Sequence, residues 1–204
     1  MTLHPEDGKI SILTSAYTLL EIPATCVELD LGCGSGSYTV ALAQRYPSRR
    51  ILAADVMIGR LRKLVRHIQR EKIENIEVLR VEARNLVARM LPDKSLDRIH
   101  LLCPDPWPKE RHRGHRLLCS DFTTQLHRVL KADGIFHFSS DDRNYCAAVG
   151  RILEASQLFA PCDEAISDLD GIVSDFEKRW QSQGLAVCHK AWKKLPLPAI
   201  TIGH

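Results

Sequence analysis

The sequence predicts an α/β fold, a mostly parallel sheet with crossover helices on both faces. Three observations predict it. Short β-rich runs alternate with helical patterns along most of the chain. A glycine cluster at 32–36 stands between the first such run and the first helical pattern, where a parallel sheet turns from strand to helix. The 204 residues, 45% apolar and 26% charged, suffice for one domain with a sizeable core and are thin for two, so 1–204 reads as a single domain.

The elements follow in order. Cys26 to Leu31 is the first strand. A helix is expected from about Tyr38 to Arg45, ended by Pro47. Arg50 to Asp55 is a second strand. Ile58 to Lys72 reads as a helix because Leu61, Leu64, Val65 and Ile68 fall at i, i+3, i+4 and i+7. Its other face, in RLRKLVRHIQREK, is basic; it is either a solvated charged face, the commoner use, or a nucleic-acid contact. Ile76 to Val81 is a third strand, and Ala83 to Leu91 a short helix stopped by Pro92. Leu96 to Cys103 is a fourth strand that runs straight into PDPWPK. A helix covers roughly Ser120 to Lys131, with Ser120 or Asp121 as cap and Gly134 just beyond its end. Ile135 to Ser139 is a fifth strand, followed by a helix from about Asn144 to Gln157. Asp163 to Arg179 shows no clear period. Leu185 to Lys193 returns as a strand, and the tail with its two prolines reads as irregular.

Composition excludes several classes. No window of 18 apolar residues exists, so no spanning helix and no membrane partner are expected. The N-terminal MTLHPEDGKI has no apolar h-region, which argues against a secretory signal. The seven cysteines are odd in number, form no Cys-x-x-Cys pair and sit mostly in apolar runs, the pattern of reduced thiols in a cytoplasmic protein. The net charge is only +3, but KERHRGHR at 109–116 concentrates four formal positive charges and two histidines against one Glu. Such a cluster gives a modestly charged protein an anion-binding face. His112 and His115 have metal-ligand spacing, yet four cations surround them and no clear third ligand exists, so no metal is expected.

Two motifs carry the chemistry. Asp30-Leu-Gly32-Cys-Gly34-Ser-Gly36 follows a strand and opens a helix. Glycines there let the backbone turn sharply and approach a ligand closely. The dinucleotide fingerprint needs its last glycine or alanine where Ser37 stands. Asp30 would repel a pyrophosphate but suits a cationic ligand. Asp55, 25 residues later at a strand end, is placed to accept both hydroxyls of a ribose. Glu82 ends the third strand, where it either reaches an adenine amino group or is simply solvated. This pattern, from about Thr25 to Ser139, resembles the class I S-adenosylmethionine methyltransferases, the Rossmann-like enzymes. The resemblance implies S-adenosylmethionine as cofactor and a seven-stranded sheet whose last two strands form an antiparallel hairpin.

The second motif is Pro104-Asp105-Pro106-Trp107-Pro108-Lys109 at the carboxyl end of the fourth strand, where ligands bind in open α/β sheets. Prolines on both sides stiffen the loop around Asp105, and Trp107 offers a flat face for a base or for the cofactor. With RHRGHR after it, PDPWPKERHRGHR closely resembles the PDPWPK-x-RH-x-x-RR signature of the bacterial tRNA (guanine-N7)-methyltransferases. Further along, Ser139-Ser140-Asp141 resembles that family's Thr-Asp, and Ser174-Asp-Phe-Glu177-Lys-Arg179 its Thr-x-Phe-Glu-x-Arg, with Gly184 also in place. The likeness spans about 25 to 190. It implies that Asp30, Gly32, Gly34, Gly36, Asp55, Glu82 and Asp105 hold the cofactor. It implies Lys109, Asp141, Ser174 and Glu177 at the substrate, and Arg111, His112, Arg113, His115 and Arg116 on the tRNA. Asp105 would also be catalytic, and the target would be the variable-loop guanine (m7G46). The chain departs from the family at Ser174 for threonine, His115 for the first arginine of the pair, Asp142 for tryptophan, and Glu82 for a shorter Asp or Asn. Competing readings keep the cofactor but change the acceptor to another RNA base, a protein or a small molecule, or make the chain a non-catalytic RNA-binding subunit. Intact Asp30, Asp55 and Asp105 argue against the last. A monomer or a homodimer fits equally.

Overall fold

The computed structural model describes residues 5–13, 19–105 and 117–197. After a 3-10 turn at Pro5–Lys9 come β1 (Ile10–Ile12), β2 (Val27–Leu31), α1 (Ser37–Arg45), β3 (Arg50–Asp55), α2 (Ile58–Glu71) and β4 (Ile76–Arg80). Then follow α3 (Ala83–Asn85) with a π-turn at Leu86–Met90, β5 (Leu96–Leu102), α4 (Ser120–Val129), β6 (Leu130–Ser140) and α5 (Arg143–Ala155). The chain continues through β7 (Phe159–Pro161), a 3-10 stretch at Asp163–Leu169, α6 (Asp175–Gln181) and β8 (Cys188–Lys194).

The described strands form one sheet in the order β1-β4-β3-β2-β5-β6-β8-β7. The first six of that order are parallel, while β8 runs antiparallel between β6 and β7. The sheet thus has eight strands, not the expected seven. The extra one is β1, which pairs Ile10 with Val78 at the edge. It is three residues long and only Ile10 is buried, so it leaves no period to read.

Helices cover both faces. On one, Leu29, Leu31, Ile99, Leu101, Phe136 and Phe138 pack under Leu86, Phe122, Leu126, Val149 and Leu153. On the other, α2 buries its predicted stripe of Leu61, Leu64, Val65 and Ile68 against Ala53 and Val78. Full burial of a Leu or Val is worth about 1.5–3 kcal/mol, so that stripe alone fastens α2 to the sheet. Every residue of β2 is buried, as expected of a central parallel strand. The basic face of α2 is partly neutralised from the N-terminal turn, by Arg62–Asp7 at 2.7 Å and Arg66–Glu6 at 3.1 Å.

Three local expectations change. Helix α4 has Cys119 at its cap position with no side-chain cap bond, so Ser120 and Asp121 lie inside the helix. Gly134 does not end that helix; β6 begins at Leu130, and the chain bulges before Ile135. The run 83–91 makes only one α-turn before the wider π-turn, which places Leu86, Val87 and Met90 in the core.

Candidate functional site

A cleft of about 720 Å³ opens at the carboxyl ends of β2, β3, β4 and β5. Its first wall is the glycine loop. Gly32, Gly34 and Gly36 all have positive φ, at 84°, 58° and 81°. Backbone bonds from Gly32 and Cys33 to the Ala54 carbonyl, at 2.8 and 3.0 Å, tie the loop to β3. At Gly36 a Cβ would stand 2.3 Å from Leu64 Cδ1 at a φ of 81°, so any side chain there is strained and displaces Leu64.

The acids around this loop are backbone clamps as well as cleft residues. Asp55 accepts from Gly34 N at 3.0 Å and from Met57 N at 2.7 Å, with Arg60 at 3.8 Å. Asp30 is buried and accepts from Thr39 Oγ1 at 2.5 Å; burial pushes its carboxyl up, against the pull of that hydrogen bond. Glu82 is exposed and caps α3, taking Arg84 N and Asn85 N on its two oxygens. Asp30, Gly32, Asp55 and Glu82 line the cleft; Gly34 and Gly36 shape the loop behind it.

The floor ends at the second motif. Cys103 has φ +48°, a conformation uncommon for a side-chain-bearing residue, and its amide donates to the Ser139 carbonyl at 2.8 Å. Burial pushes its thiol up to about 11, so it stays protonated near neutral pH. This turn aims Pro104 and the exposed Asp105 into the cleft. Trp107, Lys109, Arg111, His112, Arg113, His115 and Arg116 lie outside the described residues.

The far wall comes from distant sequence. Asp141, Ser174, Asp175, Phe176 and Trp180 line it. Ser174 caps α6 by accepting from Glu177 N at 3.1 Å, as a threonine would. Asp142 caps α5 through Asn144 N and Tyr145 N. Asp175 reaches across to the glycine loop: its amide donates to Ser37 Oγ at 2.8 Å, and its carboxylate accepts from Ser35 Oγ at 3.3 Å. Glu177 departs from expectation. It does not line the cleft but is buried, accepting from Gln181 Nε2 at 3.3 Å and meeting His189 Nε2 at 3.1 Å.

Sequence reasoning missed Tyr38, Arg60, Arg84, Asp175, Phe176 and Trp180, all cleft residues. For α6 a signal existed. Ser174-Asp-Phe-Glu177 is a capping-box sequence, which predicts a helix start at that point.

Comparisons with known proteins match this architecture. Residues 24–190 match the family model described as "Putative methyltransferase". A tRNA (guanine-N(7)-)-methyltransferase of Syntrophotalea carbinolica is 32% identical over 162 residues, covering 78% of this chain and 70% of the relative. One of Thermotoga maritima is 28% identical over 158 residues, which cover 78% of this chain but only half of that longer protein. The solved structure of the 16S rRNA methyltransferase KamB superposes with a TM-score of 0.61 at 15% identity, over 88% of this chain and 99% of that one, a likeness of fold. With the glycine loop, Asp105 and α6 gathered around one cleft, and with these matches over most of its length, the chain belongs to the tRNA (guanine-N7)-methyltransferase family.

Proposed function

We propose that this chain transfers a methyl group from S-adenosylmethionine to N7 of a guanine in tRNA, with the variable-loop guanine as target. The observation that carries the reading is the convergence of Asp105 and α6 on the cleft that the glycine loop walls. The residues fit the cofactor. The glycine backbone leaves room for close approach, and Asp55 and Glu82 stand at adjacent strand ends for a nucleoside. Asp30 offers negative charge to a sulfonium-bearing moiety, and Asp105 stands on the other side. When bound, S-adenosylmethionine supplies an activated methyl group.

Guanine N7 has a lone pair and no proton, so the protein need not supply a general base. Its residues align and stabilise. Asp105 accepts from guanine N–H groups and stabilises the ring as it becomes cationic. Phe176, half exposed, and Trp180, its ring centre 6.0 Å away, offer apolar faces to an extruded base. Lys109 and Arg111, with His112, Arg113, His115 and Arg116, hold tRNA phosphates. The single domain acts in the cytoplasm as a monomer or homodimer; no helix among the described residues is long and apolar enough to cross a membrane. Among them, no group of three His, Cys, Asp or Glu side chains is arranged to hold a metal.

The test is methyl transfer from labelled S-adenosylmethionine to unmodified tRNA, with nucleoside analysis of the product. N7-methylguanosine is expected; a different methylated nucleoside, or none, overturns the reading. Replacing Arg111 and Arg113 by Ala should lower the log–log salt slope of tRNA binding by about one per lost phosphate contact. An unchanged slope would remove that segment from the RNA interface.

A further inference from the structure

Behind the cleft, on the face of the sheet covered by α1 and α6, three histidines from neighbouring strands stand in a row that no step of methyl transfer uses. His100 on β5 meets Glu28 of β2 through Nε2 at 2.8 Å. His100 Nδ1 meets His137 Nδ1 of β6 at 3.0 Å. His137 Nε2 meets His189 Nδ1 of β8 at 3.0 Å. His189 Nε2 meets Glu177 of α6 at 3.1 Å. Glu28, His100, His137 and Glu177 are buried, and His189 is partly buried.

Counting hydrogens decides the charge of this row. Each of the four contacts is a hydrogen bond only if one proton lies in it. A neutral imidazole carries one N–H, so three neutral rings supply three protons for the four contacts. Tyr38 OH touches His100 Nδ1 at 3.1 Å, but its proton can fill only that fifth contact. With three neutral rings and two ionised carboxylates, one buried pair would face each other lone pair to lone pair, which costs about 1–3 kcal/mol.

We propose that the row holds one proton beyond three neutral imidazoles and two carboxylates, and that this proton makes His189 the positioning residue that fastens Glu177, and with it the cleft-lining helix α6. The proton belongs at the His189 end. His137 is fully buried between two other rings, and burial together with neighbouring positive charge holds it well below the usual histidine range. His100 is fully buried, and its partner Glu28 already has Arg98 and Arg49 beside it. His189 faces the Glu177 carboxylate directly and is 28% exposed. The other charged groups around the row are Asp30 near His100, Asp168 paired with Arg98 and Arg49, and Asp141, which with Glu177 acts on Cys103. Loss of the proton leaves the outermost contact empty. That contact is the inward anchor of a seven-residue helix whose Ser174, Asp175, Phe176 and Trp180 form the far wall. Substrate binding should therefore weaken as pH rises through loss of this proton.

The experiment is nitrogen NMR of the full chain labelled in its histidine rings, with assignments from single-histidine variants. Near neutral pH, four protonated nitrogens are expected among the three rings, falling to three as pH rises. In Glu177→Gln the amide itself donates to His189, so the count should be three throughout. A wild-type count of three at every pH overturns the proposal, as does a count of four in Glu177→Gln. The functional arm rests on the tRNA reading above. The KM for tRNA should rise about threefold or more across the same pH step with little change in kcat, and should stay flat in His189→Gln, which keeps a donor that does not titrate. A flat wild-type KM across a visible loss of the proton overturns the positioning role. If tRNA is not the substrate, no KM is measured at any pH, whereas the proton count stands on its own.

Discussion

The two walls of the cleft are built by different means. The glycine-loop wall comes from residues 30–37 and 55, close in sequence and joined backbone to backbone or backbone to carboxylate. The far wall comes from residues 141 and 174–180, held by side-chain contacts from other elements, Glu177 with His189 12 positions apart and Ser37 with Asp175 138 apart. A loop held by its own amides has little freedom left once the sheet forms. A helix of seven residues is too short to stand alone and takes its position from a few side-chain contacts. The difference matches the two ligands. A small cofactor needs a fixed cradle, whereas a base carried on a large RNA needs a wall that docks around it.

The comparison breaks first at Gly36. Gly36→Ala places a methyl group into Leu64 at a φ of 81°, so about 3 kcal/mol of stability should be lost from backbone strain and overpacking together. Urea unfolding measures this. A loss below about 1 kcal/mol would mean that Leu64 yields and that the cradle is no stiffer than the far wall.

Asp105 lies between the walls and sharpens the division. Asp105→Asn should slow single-turnover methyl transfer about a hundredfold, near 2.7 kcal/mol, with tRNA affinity little changed. A wild-type rate in the mutant would make Asp105 a structural residue. No rising limb from a general base is expected near neutrality when chemistry limits the rate.

Ser174→Ala removes the α6 cap and should cost about 1 kcal/mol. If the far wall serves the substrate alone, this loss appears in the KM for tRNA, while calorimetric affinity for S-adenosylmethionine holds. Equal weakening of both ligands would join the two walls into one unit.

The smallest effect at the cleft is expected from Glu28, at the inner end of the histidine row. Burial opposes its charge, but the hydrogen bond from His100 and the nearby Arg98 and Arg49 hold its carboxyl down to about 2 from 4.5. A depressed carboxyl stabilises the fold above its unfolded value, and that share is lost as pH falls from about 4.5 towards 2. Acid unfolding of Glu28→Gln should lack this step between those limits, with tRNA and cofactor binding unchanged at pH 7. An identical acid limb in the mutant would place the loss in other carboxylates.

Much of the architecture was legible because it depends on local rules. The stripe Leu61, Leu64, Val65 and Ile68 could face only one side of a helix, and α2 buries it. The boundaries of β3 agree to the residue, since a fully apolar run between charged ends allows one register. Asp30, Asp55 and Asp105 were readable as cleft residues because strand ends converge in a parallel sheet. Tertiary structure alone decided the rest. Strand β1 exists because β4 offers an edge, and β7 because β8 does. Ser37 reads in sequence as a missing glycine, and in the fold its hydroxyl accepts the amide of Asp175. Glu177 reads as a cleft residue, yet a neighbouring strand supplies His189 and turns its carboxylate inward. Periodicity and turn chemistry act within a few residues and are written in the sequence. Partners on separate elements, from 12 positions apart at Glu177 and His189 to 138 at Ser37 and Asp175, meet only when strand order and register bring them together, and no local pattern encodes that meeting.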